Sequence, residues 1–205
     1  MTSPALPPGP APPVTSPTLP PELTPNEALC RMLVVPAAFR PEECDAVLAL
    51  AAAVVPVPGE VIERSGPAAR RRSEVRWLPH GPDTAWLYAR IPLLASRLND
   101  AHWGFALGGV EAIQVARYAD GAHYDWHVDL GPGMASLRKL SVSIQLSAGD
   151  AYEGGALEFP DGPETLGRGR GDAIVFPSFM HHRVAPVTAG ERWSVVAWIV
   201  GPPFR

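Results

Sequence analysis

Apolar and polar residues follow two different periods along this chain. Between residues 41 and 54 apolar residues recur at helical spacing, and Pro41 suits the first turn of a helix. A second helical stripe covers residues 84–99. After the glycine pair at 108–109, short runs rich in β-branched residues alternate with turn residues. The pattern therefore predicts helices first and a set of short strands afterwards.

The strands of the second half are short and regularly spaced, which is typical of a sandwich or barrel and not of a parallel sheet. They are predicted at residues 110–118, 123–129, 139–147, 155–159, 172–176, 181–187 and 191–200. Earlier strands are predicted at 31–35 and 73–78, with a surface loop at 56–72. The predicted fold is α+β, a double-stranded β-helix (jelly roll) with a helical N-terminal layer packed on one sheet.

Residues 1–25 differ from the rest of the chain in composition. They contain ten prolines, separated mainly by small residues. Such a segment cannot bury a core and favours an extended conformation. The chain as a whole is 46% apolar, which is enough for one well-packed domain. We therefore predict a disordered proline-rich arm at 1–25 and a single folded domain at 26–205.

The charge and the cysteines indicate the class of partner and the compartment. A net charge of −4 gives no reason to expect nucleic acid, and the arginine run at 70–72, next to Glu74, is interpreted as a solvated face. The sequence has no apolar run of membrane-spanning length and no signal peptide at its start, so no membrane partner and a cytoplasmic location are predicted. Cys30 and Cys44 lack metal-type spacing and are expected to be free thiols.

The predicted strand at 139–147 is polar on one face and apolar on the other. Ser141, Ser143 and Gln145 lie on the polar face. In one reading this face meets solvent, as is normal for an antiparallel sheet. In the other reading, helices cover the apolar face and the polar face lines the mouth of the barrel. The spacing alone does not choose between them.

Candidate metal ligands come from two predicted strands. His127 and Asp129 are two residues apart, so their side chains project to one face of a strand. Inside a core, a carboxylate beside an imidazole is costly unless something binds them. His182 shares a strand face with apolar Val184, whereas His181 shares one with Arg183, so His182 is predicted to face inward.

Two histidines and one carboxylate can hold a non-haem Fe(II) ion and leave other positions open. A further candidate is Arg192, which begins an otherwise apolar strand and shares its face with Ser194. A guanidinium in such a strand needs an acceptor, and a ligand carboxylate matches its fork. The spacing of all these residues is much more specific than a His-x-Asp pair alone.

With these residues in place, the segment at 111–205 resembles the iron(II)- and 2-oxoglutarate-dependent oxygenases, in particular the prolyl 4-hydroxylase-like group and its bacterial relatives. The matching stretches are residues 114–121, 127–129, 138–147, 152–159, 171–178, 182–184 and 190–194. They cover nearly half of the chain. Helices that precede the jelly roll are also what that family shows.

The resemblance implies roles for individual residues. The implied iron ligands are His127, Asp129 and His182. The residues implied to bind 2-oxoglutarate are Arg192, Ser194, Tyr118 and Gln145. Arg192, assisted by Ser194, would bind the distal carboxylate, and Gln145 stands where some members have a tyrosine. No catalytic residue is implied beyond the metal centre.

The implied activity is that of an Fe(II)- and 2-oxoglutarate-dependent dioxygenase. Such an enzyme takes O2 and hydroxylates an unactivated C–H bond, here of a proline or other amino-acid residue, free or peptidyl, and it releases succinate and CO2. Ascorbate is an accessory cofactor in this expectation. The alternative is a jelly-roll module that retains a metal without turnover, and the complete ligand set with Arg192 favours catalysis. The identity of the substrate does not follow from the sequence.

Overall fold

The computed structural model describes residues 25–59, 70–163 and 166–204. The arm predicted at 1–25 lies outside the described residues except for Pro25, so the arm and the domain boundary remain predictions. Most of the loop predicted at 56–72 is likewise outside them. Within the described part of the chain, no helix is both long and apolar enough to cross a membrane.

Both predicted helices are present, and local contacts fix their ends. Helix α1 spans Pro41–Ala52 and helix α2 spans Ala85–His102. Pro41 occupies the first turn of α1, where a backbone N–H has no helical partner, and the Arg40 N–H donates to the Glu43 carboxylate at 2.8 Å. Near the end of α2, the Asn99 side chain makes two hydrogen bonds of 2.9 Å to the N–H and C=O of Phe105.

The strands form two facing antiparallel sheets and a separate two-stranded pair. In chain order they are β1 (Leu33–Val35), β2 (Val57–Pro58), β3 (Arg71–Arg72), β4 (Glu74–Leu78), β5 (Gly109–Tyr118), β6 (His123–His127), β7 (Arg138–Gln145), β8 (Tyr152–Gly154), β9 (Leu157–Glu158), β10 (Ala173–Pro177), β11 (His182–Val184), β12 (Val187–Gly190) and β13 (Arg192–Val200). The larger sheet has the order β1-β10-β7-β13-β5-β4-β2, and the smaller one has the order β3-β6-β11-β9. Strands β8 and β12 pair with each other.

The two faces of the larger sheet have different environments. Leu140, Val142 and Ile144 of β7 pack in the core that also contains buried residues of both helices. Ser141 and Ser143, on the opposite face of β7, line a cavity inside the barrel. The second reading of this strand is therefore correct, because the helices cover the apolar face and turn the polar face inward.

A second apolar cluster fills part of the space between the two sheets. Its larger members are Tyr118, Tyr152, Phe159, Ile174 and Phe176. Two facing antiparallel sheets with helices packed on one of them confirm the predicted α+β jelly roll.

Several predicted elements have different limits in the structure. The strand predicted at 123–129 ends at His127, because the chain bends there and Asp129 follows outside β6. The strand predicted at 181–187 is divided into β11 and β12. The segment at 56–72 was expected to be a loop, but β2 and β3 lie at its two ends. These strands form because β4 and β6 offer them free edges, a long-range effect with no local sequence signal.

The paired side chain of Asn99 gives a test of how the helical layer is fixed. We expect Asn99→Ala to lower the free energy of unfolding by about 1–3 kcal/mol. Asn99 is only 3% exposed, and its replacement leaves the backbone N–H and C=O of Phe105 without their partners. Urea unfolding followed by circular dichroism measures this change. Asp100→Ala, at the next and exposed position, is the control and should change it by no more than about 0.5 kcal/mol. Equal losses in both variants would contradict the assignment.

Candidate metal centre

A cavity of about 940 Å³ lies between the two sheets. Its wall contains residues from the interior faces of β5, β7 and β13 and from β6 and β11 of the smaller sheet. Polar side chains therefore project into a partly enclosed space, where each buried polar atom needs either a protein partner or a ligand.

The structure brings His127, Asp129 and His182 together in this cavity. Their potential ligand atoms all lie within 4.8 Å of one another. The Nε2 atoms of both histidines are 3.7 Å from the carboxylate oxygens of Asp129. The histidines meet because β6 and β11 pair with His127 opposite His182. Asp129 lies in the bend after β6, where its N–H donates to the carbonyl of Ser178 at 2.9 Å.

Backbone carbonyls orient both imidazoles. The Nδ1 of His127 is 2.8 Å from the Asp125 carbonyl, and the Nδ1 of His182 is 2.9 Å from the Met180 carbonyl. Because a carbonyl only accepts, each Nδ1 carries the hydrogen and donates it. The lone pair is then on Nε2, the atom that faces Asp129, which is the arrangement that a metal-binding histidine needs.

Two neighbouring side chains hold Asp129. The Ser141 hydroxyl donates to its carboxylate at 2.6 Å and is 3.0 Å from the Ser178 hydroxyl. The Arg138 guanidinium donates to the Asp129 carbonyl at 3.1 Å. An aspartate in a bend is thus fixed at its amide, its carbonyl and its carboxylate.

Arg138 is itself held from two sides. It makes two hydrogen bonds to the Glu111 carboxylate, at 2.6 and 2.8 Å, and its guanidinium lies 4.0 Å from the centre of the Trp198 ring. This paired guanidinium is 8% exposed and is neutralised within the protein. The pair links β5 and β7 to the loop that carries Asp129.

The protonation states suit a metal. Burial lowers the pKa of His127 to about 4, and the nearby His182 acts in the same direction. Burial opposes ionisation of Asp129, but attraction to His182 and His127 and the hydrogen bond from Ser141 leave its pKa below the ordinary value. Neutral imidazole nitrogens and an ionised carboxylate are the forms that bind a divalent metal ion.

His181 and His182 lie in different environments. His182 is 5% exposed and faces the other two potential ligands, whereas His181 is exposed at the rim of the cavity. The structure therefore places His182 inward, as expected from the strand pattern.

A second polar site in the cavity surrounds Arg192. This arginine is 1% exposed, and within the described chain its Nε and the hydroxyl of Ser194 have no hydrogen-bond partner. The Tyr118 ring centre is 5.5 Å from its guanidinium. Gln145 is opposite Ser194 in the β7–β13 pairing and also has a buried, unpartnered Oε1, but it is not among the described residues that line the cavity. These unpartnered polar atoms fit a carboxylate ligand.

Sequence reasoning missed several residues that support the site. Arg138 and Ser178 contact Asp129 directly, and Glu111 contacts Arg138. These contacts join different elements of the chain, so no local pattern marks them. The signal available for Ser141 was its place on the polar face of β7. Arg71 was interpreted as part of a solvated face, but it is half-buried and lines the cavity, so that interpretation is wrong for this residue.

The hydrogen bond from Ser141 generates a prediction about metal affinity. Ser141→Ala should weaken binding of Co(II) about 10- to 100-fold, because the Asp129 carboxylate loses a donor that orients it. Competition with a chromogenic chelator measures the affinity. Ser143→Ala is the matched control, since Ser143 lies on the same face of β7 and makes no hydrogen bond with Asp129 in the described structure. Similar affinities in the two variants would contradict this role of Ser141.

Comparison with known proteins finds related sequences over the jelly-roll half. Residues 113–200 match the family model described as the 2OG-Fe(II) oxygenase superfamily. A PKHD-type hydroxylase of Maricaulis maris is 37% identical over 120 residues, which cover 54% of this chain and 55% of that protein. One of Stenotrophomonas maltophilia is 40% identical over 90 residues, which cover 40% of each chain. This chain thus spans about half or less of the length of these relatives.

Solved structures share the fold at low sequence identity. A Pseudomonas putida prolyl-4-hydroxylase superposes with a TM-score of 0.69 at 22% identity, covering 84% of this chain and 94% of that one. A prolyl hydroxylase from Trichoplax adhaerens, in complex with a hypoxia inducible factor peptide fragment, has a TM-score of 0.67 at 18% identity and covers 82% of this chain and 83% of that one.

The sequence match includes the second half of β5, the candidate metal ligands and β13, which all contribute to the cavity. The structural neighbours have the same fold over most of the chain. Residues 113–200 of this chain are thus similar to the 2OG-Fe(II) oxygenase superfamily.

Proposed function

We propose that this protein is an Fe(II)- and 2-oxoglutarate-dependent dioxygenase that hydroxylates an unactivated C–H bond of a proline or other amino-acid residue, free or peptidyl. The observation that carries the proposal is Arg192, which is buried without a carboxylate partner among the described residues and lines the same cavity as the three potential metal ligands. A metal site alone does not predict this chemistry. A metal site that shares its cavity with a guanidinium lacking a carboxylate partner in the described chain supports it.

The donor set fits Fe(II). His127, Asp129 and His182 would hold the ion with two imidazole nitrogens and one carboxylate, and this ligand set leaves coordination positions for co-substrate and O2. When bound, Fe(II) supplies the reaction of O2 with 2-oxoglutarate that gives succinate and CO2 and oxidises the substrate C–H bond. The protein contributes the position and protonation state of the ligands.

Arg192 and its neighbours would bind the far end of 2-oxoglutarate. A buried guanidinium without a counterion is unfavourable by several kcal/mol, on the order of the desolvation penalty of an ion. The distal carboxylate would supply that counterion and accept hydrogen bonds from Arg192 and the Ser194 hydroxyl. The Tyr118 ring would form the adjoining wall. Gln145 is a weaker candidate, because the cavity lining does not include it.

The surrounding contacts would keep the site in one geometry. Ser141 and Arg138 fix Asp129, and the two backbone carbonyls fix the imidazoles. Preorganised ligands of this kind lower the reorganisation needed on binding metal and co-substrate.

The class of substrate within this proposal is an amino-acid residue. A peptidyl substrate is supported by the Trichoplax adhaerens neighbour, which was solved with a peptide fragment. Ascorbate as an accessory cofactor and a cytoplasmic location remain predictions from the sequence.

The metal assignment predicts different effects for adjacent histidines. His127→Ala and His182→Ala should each abolish iron-dependent turnover and stoichiometric metal content, because each removes one of three ligands. His181→Ala should retain most of both and serves as the control, since His181 is exposed. Metal analysis of the purified variants, together with succinate release, provides the measurement. An inactive His181→Ala beside an active His182→Ala would reverse the assignment.

The function itself is tested at Arg192. Arg192→Ala should weaken 2-oxoglutarate binding on the order of a hundredfold or more, since each charge-assisted hydrogen bond contributes about 1.5–3 kcal/mol and about 1.4 kcal/mol corresponds to tenfold. Titration of 2-oxoglutarate into anaerobic Fe(II) protein, followed by the visible band of the chelate, measures the affinity. Iron affinity should change little, and Arg192→Lys should recover part of the loss because it restores charge without the planar fork.

Arg117→Ala is the matched control for this experiment. Arg117 lies on the neighbouring strand β5, but it pairs with Glu74 and Glu191 and does not line the cavity in the described structure. Unchanged 2-oxoglutarate affinity in Arg192→Ala would contradict the dioxygenase assignment and favour a jelly-roll module that binds metal without turnover.

A further inference from the structure

Arg71 occupies a position in the cavity wall that the proposed reaction does not use. It lies on the short strand β3, opposite Tyr124 of β6, and it is half-buried. Both residues line the cavity that contains the potential metal ligands. Arg72, the next residue, is exposed and does not line the described cavity.

The groups that position Arg71 are all uncharged. Its Nε donates to the Ser73 hydroxyl at 2.8 Å, and its Nη2 is 3.5 Å from the Gln114 side-chain oxygen, which is at most a weak hydrogen bond. The guanidinium lies 4.7 Å from the centre of the Tyr124 ring. Among the residues that the structure describes, Arg71 has no carboxylate partner. Its orientation is therefore fixed, while no carboxylate of the described residues neutralises its charge.

Two other arginines at or near the cavity differ in this respect. Arg138 is paired with Glu111, and Arg183, which lies over the Trp126 ring, is paired with Glu158. Of the described carboxylates in the cavity wall, Asp129 belongs to the metal site. The other is Asp125, which is exposed and accepts a hydrogen bond from the Trp126 N–H at 2.8 Å.

The absence of a side chain at Gly59 leaves space for the Arg71 side chain. The Gly59 N–H donates to the Ser73 carbonyl at 2.9 Å, which brings the two segments close together. A Cβ at Gly59 would lie 2.6 Å from the Arg71 Nε and 2.3 Å from the Ser73 hydroxyl. A side chain at this position would therefore displace the Arg71–Ser73 hydrogen bond.

Tyr124 connects Arg71 with the metal site. Its ring stacks on His127 with a centroid distance of 3.5 Å and an interplanar angle of 13°. The guanidinium is thus separated from a potential metal ligand by a single aromatic ring. An extended peptide advances about 3.3–3.6 Å per residue, so a group held by Arg71 would belong to a residue near the one that is hydroxylated.

The wall near Arg71 also has exposed apolar surface. Trp77 is 45% exposed and Val57 is 43% exposed, and both line the cavity. Large apolar side chains on the wall of an open cavity are typical of a surface that binds a ligand. This wall would bind the apolar part of a substrate beside the charged group of Arg71.

We propose that Arg71 binds a carboxylate of the substrate, so that the enzyme selects an amino acid or peptide with a carboxylate close to the hydroxylated carbon. This inference rests on the proposed dioxygenase function and adds the charge of its substrate. The carboxylate comes from an acidic side chain or from a free chain terminus, two sources with the same chemistry. The alternative role for Arg71 is purely structural, in which it holds Tyr124 against His127.

The experiment uses the full chain loaded with Fe(II) and 2-oxoglutarate without O2. The probes are three acetylated hexapeptides with one central proline. The first has Glu after the proline and an amidated C-terminus, and the second, which is neutral, has Gln there and an amidated C-terminus. The third has Gln after the proline and a free C-terminal carboxylate. Binding is measured through the change that each peptide produces in the visible band of the chelate. The first and third peptides separate the two sources of the carboxylate.

We expect the wild-type protein to bind at least one carboxylate peptide roughly tenfold or more tightly than the neutral peptide, as one charge-assisted hydrogen bond implies. Arg71→Gln should remove this preference, and Arg71→Lys should restore part of it. Arg72→Gln is the control and should retain the preference. Melting temperatures of the variants report on folding separately from selectivity.

Two outcomes would overturn the inference. The first is a wild-type protein with no preference for a carboxylate peptide, including one that binds none of the three. The second is an Arg71→Gln variant that binds all peptides more weakly by the same factor, as the structural role predicts. Failure of the proposed function gives a different result, since the chelate band would then be absent from the wild-type protein before any peptide is added.

Discussion

The structure depends on the alternation of side chains along the strands of the larger sheet. In β7 the apolar residues pack beneath the two helices, so the serines between them must point into the barrel. Polar atoms in such an interior are unfavourable unless they are paired. Ser141 is paired with Asp129, whereas the Ser194 hydroxyl and the Arg192 Nε have no partner among the described residues. The same pleat that builds the core therefore creates both a supported metal site and a site that needs a ligand.

Strand pairing positions the two histidines of the metal site, whereas hydrogen bonds position its aspartate. His127 and His182 are opposite each other on paired strands, so the register of the small sheet determines their separation. Asp129 has no such constraint, because it lies in the bend after β6. Its position depends on hydrogen bonds from Ser141 and Arg138 and on its own amide. The neighbours of the aspartate should thus affect metal affinity more than most other contacts in the barrel.

The sequence predicted the parts of this site that follow from periodicity. The inward direction of His182 and the shared face of Arg192 and Ser194 follow from a period of two, and the cavity contains all three. The prediction that His127 and Asp129 share one strand is wrong, since β6 ends at His127. Arg71 could not be predicted at all, because β3 forms only by pairing with β6 across a long sequence separation.

The pairing of charges inside the cavity distinguishes structural arginines from those available to ligands. Arg138 and Arg71 both line the cavity and lie over aromatic rings, so ring contacts do not distinguish them. The difference is the carboxylate of Glu111, which neutralises Arg138 within the fold. Arg71 and Arg192 have no carboxylate partner in the described structure, and bound anions can therefore lower the free energy of both. Bound 2-oxoglutarate would neutralise the charge of Arg192, and the carboxylate of a bound substrate would neutralise the charge of Arg71. Both guanidinium charges would therefore be neutralised only in the complex that is ready to react.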